Sequence, residues 1–163
     1  MLNISIWLSL PLTNNAQNLL NIIKDLKGEY KILSAPLAND PKAEPHKREW
    51  IKNNLSFFPP KNVFITHNKP QFAKQKDGTP NILIDDYGVN IGAWEEAGGI
   101  GFKYKDYKFN RTAKAIKNKI EDFTGAIKIG DTSEAVSIAI ESIFGINRRT
   151  PGSSPQIIRK PSL

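Results

Sequence analysis

Apolar residues recur along this chain with two periods, and the alternation between them predicts the fold. Within residues 13–27 they fall at Ala16, Leu19, Leu20, Ile23 and Leu26, the spacing of an amphipathic helix. Thr13 is placed to cap its start and Gly28 to stop it. Residues 30–35 (YKILSA) form a short apolar run closed by Pro36, which reads as a buried strand. Residues 46–55 (HKREWIKNNL) bring Trp50, Ile51, Asn54 and Leu55 onto neighbouring turns of a second helix, ended by Pro59-Pro60. A second strand follows at 62–66 (NVFIT), then a short helix at 70–75. The turn at 77–80 (DGTP) launches a third strand, NILIDD at 81–86, whose last two residues are carboxylates. Residues 89–97 form a helix with Ile91, Trp94 and Ala97 inward, stopped by Gly98-Gly99, and 100–104 (IGFKY) form a fourth strand.

Strands alternating with helices through short connections imply an α/β fold: a parallel sheet with helices on both faces, in three layers. Two further helices are predicted. One covers 112–123, with Ala113, Ile116, Ile120 and Phe123 on one face; the other covers 133–144, where Asp131 and Glu134 fit a capping box. From Asn147 onward Arg, Pro, Gly and Ser occur without periodicity, which predicts a mobile basic tail over 147–163 behind a single domain over 1–146. A chain of 163 residues with 39% hydrophobic content fits one compact core of this kind.

Composition narrows the chemistry. There are no cysteines, so thiolate nucleophiles, thiolate metal sites and disulfides are excluded, and a reducing cytoplasm is the expected setting. The apolar start MLNISIWLSLPL lacks a basic leader and runs into TNNAQN, unlike a signal peptide, and nothing approaches the roughly 20 apolar residues of a membrane span. The net charge of +7 is concentrated late, in KYKDYKFNRTAKAIKNK and in the tail. Tyr104, Tyr107 and Phe109 interleave with these lysines, which admits base stacking on nucleic acid, but packing and a solvated basic surface account for them as well. His46 and His67 have no second His or Cys at ligand spacing and read as surface or capping residues. Ser34 has neither an elbow glycine pattern nor a neighbouring base, so it does not read as a hydrolase nucleophile.

In an open α/β sheet, ligands gather at the carboxyl ends of the strands. Here the first strand ends at Ser34, the second runs into THNK at 66–69, and the third ends at Asp85 and Asp86. A hydroxyl, an ammonium and a carboxylate pair would suit a phosphate and a hard cation. Each alone also fits an ordinary turn; it is their succession along one βαβ series that points to a site.

The ordered run ILSAP, KREWIKNNL, ITHNK and NILIDDYGVNIGAWEEAGGIG resembles the 5'(3')-deoxyribonucleotidase branch of the haloacid-dehalogenase-type (HAD) phosphatases, in a form often seen in phage proteins. The likeness covers about residues 10–104. It implies a HAD-like, Rossmann-like fold and Mg2+-dependent dephosphorylation of deoxynucleoside monophosphates. By the same resemblance Ser34 and Lys69 would bind phosphate, Asp86 would hold Mg2+, and Asp85 would support it through hydrogen bonds or at second hand. Asn90 could hydrogen-bond the loop, Lys47 is a weaker candidate for phosphate attraction that reads more simply as a solvated charge at an exposed helix start, and the 98–101 glycines set backbone geometry rather than cradle phosphate.

One departure matters. Members of that family begin with a central strand ending in Asp-x-Asp, the first carboxylate attacking phosphorus and the second protonating the leaving oxygen. This chain has no Asp-x-Asp; its first carboxylate, Asp25, lies inside a helix, and Asp40 is followed two positions on by Lys42. The missing strand would leave a gap between the strands ending in Ser34 and Asp86. Residues 2–7 (LNISIW), or a strand from a second chain, are expected to fill it, unless the sequence is an incomplete product of a longer or split gene. The expected functions are part of a nucleotidase whose nucleophile comes from elsewhere, a non-catalytic module binding a nucleotide or protein partner, or a basic nucleic-acid-binding protein. Membrane partners are not expected and nucleic acid is the least favoured.

Overall fold

The computed structural model of the protein describes residues 8–36, 40–127, 135–143, 146–147 and 156–157. The elements follow the predicted order: α1 (Ala16–Lys27), β1 (Lys31–Ser34), α2 (Ala43–Asn54), β2 (Asn62–Ile65), a 3-10 turn at Lys69–Phe72, β3 (Ile82–Asp85), α3 (Gly88–Glu96), β4 (Ile100–Lys103) and α4 (Phe109–Ile127). A fifth strand, β5 (Val136–Ala139), leads into a 3-10 turn at Ile140–Ser142. The five strands form one all-parallel sheet in the order β2-β1-β5-β3-β4. This is an α/β architecture compatible with a Rossmann-like fold.

Strand alternation sorts the core into two layers. Ile32, Ile82, Ile84, Val136 and Ile138 point to one face, where α1, α2 and α4 bury Leu19, Leu20, Ile23, Trp50, Ile51, Ile116 and Ile120 against them. Leu33 and Leu83 point to the other, packed by Ala73 and by Ile91 and Trp94 of α3. Both buried indoles have their N–H satisfied: Trp50 Nε1 donates to Leu10 O at 2.8 Å and Trp94 Nε1 to Asn81 O at 3.0 Å. Asn81 ties several pieces together, since its side chain donates to Phe72 O and accepts from Gln75 Nε2 and from the Ala135 amide that opens β5.

Several local expectations are corrected. Helix α1 starts at Ala16 rather than Thr13, with Asn15 at its cap position and no side-chain cap bond. Asp106, far along the chain, accepts the Asn15 amide at 3.0 Å. Gly28 ends α1 at φ +80 as anticipated. Helix α2 begins at Ala43, with Pro45 in its first turn, where the N–H that proline lacks would have had no intrahelical acceptor. The DGTP turn closes through the Thr79 amide on Asp77 Oδ1 at 2.9 Å.

The largest correction concerns 133–144, predicted as a helix. Residues 136–139 are instead the central strand, fully buried, paired with β1 on one side and β3 on the other. Val136, Ile138 and Ile140 are β-branched, and a slot flanked by two unpaired strand edges rewards extended backbone on both sides at once. The gap expected beside Ser34 is therefore filled by the chain's own later segment. Residues 2–7, proposed for that place, lie outside the described residues, as do Asp131, Ser133, Glu134 and Phe144, and the side chain of Phe123. In the region predicted as a tail, Ile146–Asn147 pairs antiparallel with Gln156–Ile157, so it is not wholly without structure; the remainder lies outside the described residues.

Candidate functional site

Because all five strands run the same way, Ser34, Asp85 and the end of β5 share one rim. Strands pair about 4.8 Å apart, so the tips of β1 and β3 lie roughly 10 Å from each other across β5. The register Leu33↔Ala139 and Ile84↔Ile138 sets Ala139 level with Leu33 and, one step on, with Asp85. The centre of the rim thus carries Ala139, Ile140 and Glu141.

Two polar clusters flank that centre. At the β3 tip Asp85 is fully buried and both of its oxygens are engaged: Oδ1 accepts the Tyr87 amide at 3.0 Å, and Oδ2 accepts Lys69 Nζ at 3.0 Å and Asn90 Nδ2 at 2.9 Å. The 3-10 turn that begins at Lys69 sets its ammonium against this carboxylate, and the first turn of α3 presents Asn90. Asp86 is buried, with Lys105 Nζ donating to its backbone carbonyl at 3.0 Å. Lys69 and Asp85 are therefore brought together, with Asp86 next along the chain, and the Asn90 side chain holds Asp85.

At the β1 tip Ser34 Oγ donates to Glu141 Oε2 at 2.9 Å and accepts from Lys47 Nζ at 2.8 Å. Lys47 also donates to Ala35 O at 2.6 Å and lies 3.2 Å from Glu141 Oε2. The expectation of a solvated Lys47 is overturned: its side chain is only 2% exposed, whereas Glu141 is 15% exposed. Lys47 sits three and four residues before Trp50 and Ile51, so it belongs to the buried stripe of α2, and an ammonium there must find acceptors. That spacing was the signal for it. Glu141 had none, since the segment around it fits a helical pattern. Ser142, beside it, is buried with a hydroxyl that has no hydrogen-bond partner among the described residues.

The remaining candidates separate. Gly98 takes φ +98, and a Cβ at Gly99 would lie 2.2 Å from Trp94 Nε1, so these glycines serve backbone geometry and close packing. His46 is half-buried and its Nδ1 has no hydrogen-bond partner among the described residues; His67 is exposed. Of the interleaved aromatics, Tyr104 is in the core, Phe109 packs against it and Tyr107 is exposed, so packing accounts for two of the three. A cleft of about 350 Å³ lies where α1 and α4 begin, lined by Asn15, Asp106, Tyr107 and Arg111. Its carboxylate is committed to Asn15 and to the Tyr104 hydroxyl. Among the described residues no helix is long and apolar enough to cross a membrane. No family model, curated protein or solved structure matches the chain.

Proposed function

We propose that this chain is a HAD-like module that binds a phosphomonoester, a nucleoside monophosphate being the class implied by the sequence resemblance, and that it does not turn the ligand over by itself. The observation that carries the reading is what three adjacent strand tips present: Ser34 on β1, Ala139-Ile140-Glu141 on β5, and Asp85-Asp86 with Lys69 on β3. In the family resembled, the tip between the hydroxyl strand and the acidic-pair strand carries Asp-x-Asp. Here the first of those places holds a methyl group, which cannot attack phosphorus. The second holds Glu141, engaged by Ser34 and Lys47. A nucleotidase borrowing its nucleophile strand from a second chain is the weaker reading, because β5 already pairs with both neighbours in that slot.

Magnesium fits this rim in a restricted way. Asp85 has both oxygens filled by N–H donors, so it orients its surroundings rather than ligating, and Asp86 is the carboxylate that the resemblance assigns to the ion. Magnesium is commonly bound through one or two carboxylates and completed by water and phosphate oxygens. Water and the phosphate oxygens of the ligand would complete the coordination around that carboxylate. When bound, the ion would neutralise phosphate charge; Ser34 would donate a hydrogen bond, and Lys69 would lend positive charge from beside Asp85.

Titration calorimetry of the full chain with deoxynucleoside monophosphates and Mg2+ tests the reading. Saturable binding is expected, weakened about tenfold or more by Asp86→Ala, roughly the loss of one strong charge contact, with no phosphate release. Binding untouched by Asp86→Ala, or no binding at all, would overturn the site. Phosphate release above a protein-free control would overturn its non-catalytic part.

A further inference from the structure

We infer that Ser34 and Lys47 form an oxyanion subsite whose present occupant is the protein's own Glu141 carboxylate, so that Glu141 gates the entry of a phosphate. This rests on the reading of the rim as a phosphomonoester site and adds its regulation.

The donor set is built for an oxyanion. A single oxygen, Glu141 Oε2, receives the Ser34 hydroxyl at 2.9 Å and the Lys47 ammonium at 3.2 Å. Lys47 also donates to Ser34 Oγ and Ala35 O, so the placement of its ammonium is set by the β1 tip as well as by Glu141. Two of those acceptors stay in place whatever happens to Glu141. Ser34 and Lys47 are almost wholly enclosed, while Glu141 is the partly exposed member, on a 3-10 turn of three residues. If its side chain swings outward, a hydroxyl and a desolvated ammonium are left facing one vacancy, and such donors are costly to leave unmatched.

A phosphate oxygen restores both bonds. It has the charge and the acceptor geometry of the carboxylate oxygen it replaces, and no donor is stranded in the exchange. A neutral ligand or a cation would not do so. The arrangement thus selects a phosphate over uncharged groups and makes binding compete with an internal anion. The same bonds dock the end of β5 against β1, so the gate also fastens the central strand.

The test compares inorganic phosphate binding to the wild-type chain, Glu141→Gln and Glu141→Ala by calorimetry, with circular dichroism as the check on folding. Affinity is expected to rise in that order, by about tenfold or more for the alanine variant, the factor for removing one competing charge-assisted contact. Lys47→Met in the Glu141→Ala background should abolish the gain. Glu141→Gln keeps the side-chain shape, so it decides the matter if the alanine variant does not fold: an amide is the weaker competitor and must raise the affinity. Equal phosphate affinity in wild type and folded variants would overturn the gate. The rim reading would survive that result if nucleoside monophosphate binding still depended on Asp86. Tighter phosphate binding in the Glu141 variants, without any nucleotide binding, would instead uphold the gate and sink the nucleotide reading.

Discussion

Removing the ammonium of Lys69 tests the site's electrostatics most directly. Asp85 is 0% exposed and the Lys69 side chain 6%, with 3.0 Å between Nζ and Oδ2, so the pair sits outside the reach of bulk screening. Breaking a buried pair by deleting one partner costs about 3–5 kcal/mol, because the surviving charge is left in a poor solvent. Asp85 would keep two donors, the Tyr87 amide and Asn90 Nδ2, which places Lys69→Met near the lower end, about 3 kcal/mol. Urea denaturation followed by tryptophan fluorescence reports this well, since Trp50 and Trp94 are fully buried. With an m-value of about 2 kcal/mol/M the midpoint should fall by roughly 1.5 M. The double variant Lys69→Met/Asp85→Asn should recover a good part of that loss, with a coupling energy of about 1–3 kcal/mol. A loss below about 1 kcal/mol, with no coupling, would mean that the pair behaves as a solvated surface bridge, and the case for an enclosed polar rim would fail.

Three further outcomes are expected. Gly99→Ala forces a Cβ to 2.2 Å from Trp94 Nε1, so the indole must shift and give up Asn81 O; a loss of about 2–4 kcal/mol and red-shifted emission should follow, and an unchanged urea midpoint would contradict the packing. Asn81→Ala strands the Ala135 amide and Phe72 O, which should cost about 3 kcal/mol and speed amide exchange in β5 before β1; uniform exchange would argue against Asn81 as the anchor of that strand. Tyr104 has its pKa raised above 10.0, first by burial and then by the charge and hydrogen bond of Asp106, and burial raises Tyr30 likewise. Folding then keeps protons that the unfolded chain releases, so the stability these tyrosines contribute is complete below about pH 10 and is lost as pH rises beyond it. Urea midpoints should fall between about pH 9 and about pH 11, less steeply in Tyr104→Phe, and a flat profile would refute the assignment.

The strand tips that carry Ser34, Asp85 and Asp86, and the turn that carries Lys69, were legible because their signals are local. Apolar runs end at Pro36 and at the acid pair, and Gly28, the DGTP turn and Gly98 punctuate the elements between them. Lys47 was half legible: its place on the apolar stripe of α2 was in the spacing, but the acceptors that make burial tolerable come from β1 and from Glu141. Sequence by itself therefore determined four strands, the helices between them and most of the polar rim. Only the tertiary structure decided what stands at the centre. The stretch AVSIAI fits a helical period and an extended one about equally, and local preference cannot choose between them. The choice is made by two distant strands, β1 and β3, whose unpaired edges can both be satisfied by one extended segment and by no helix.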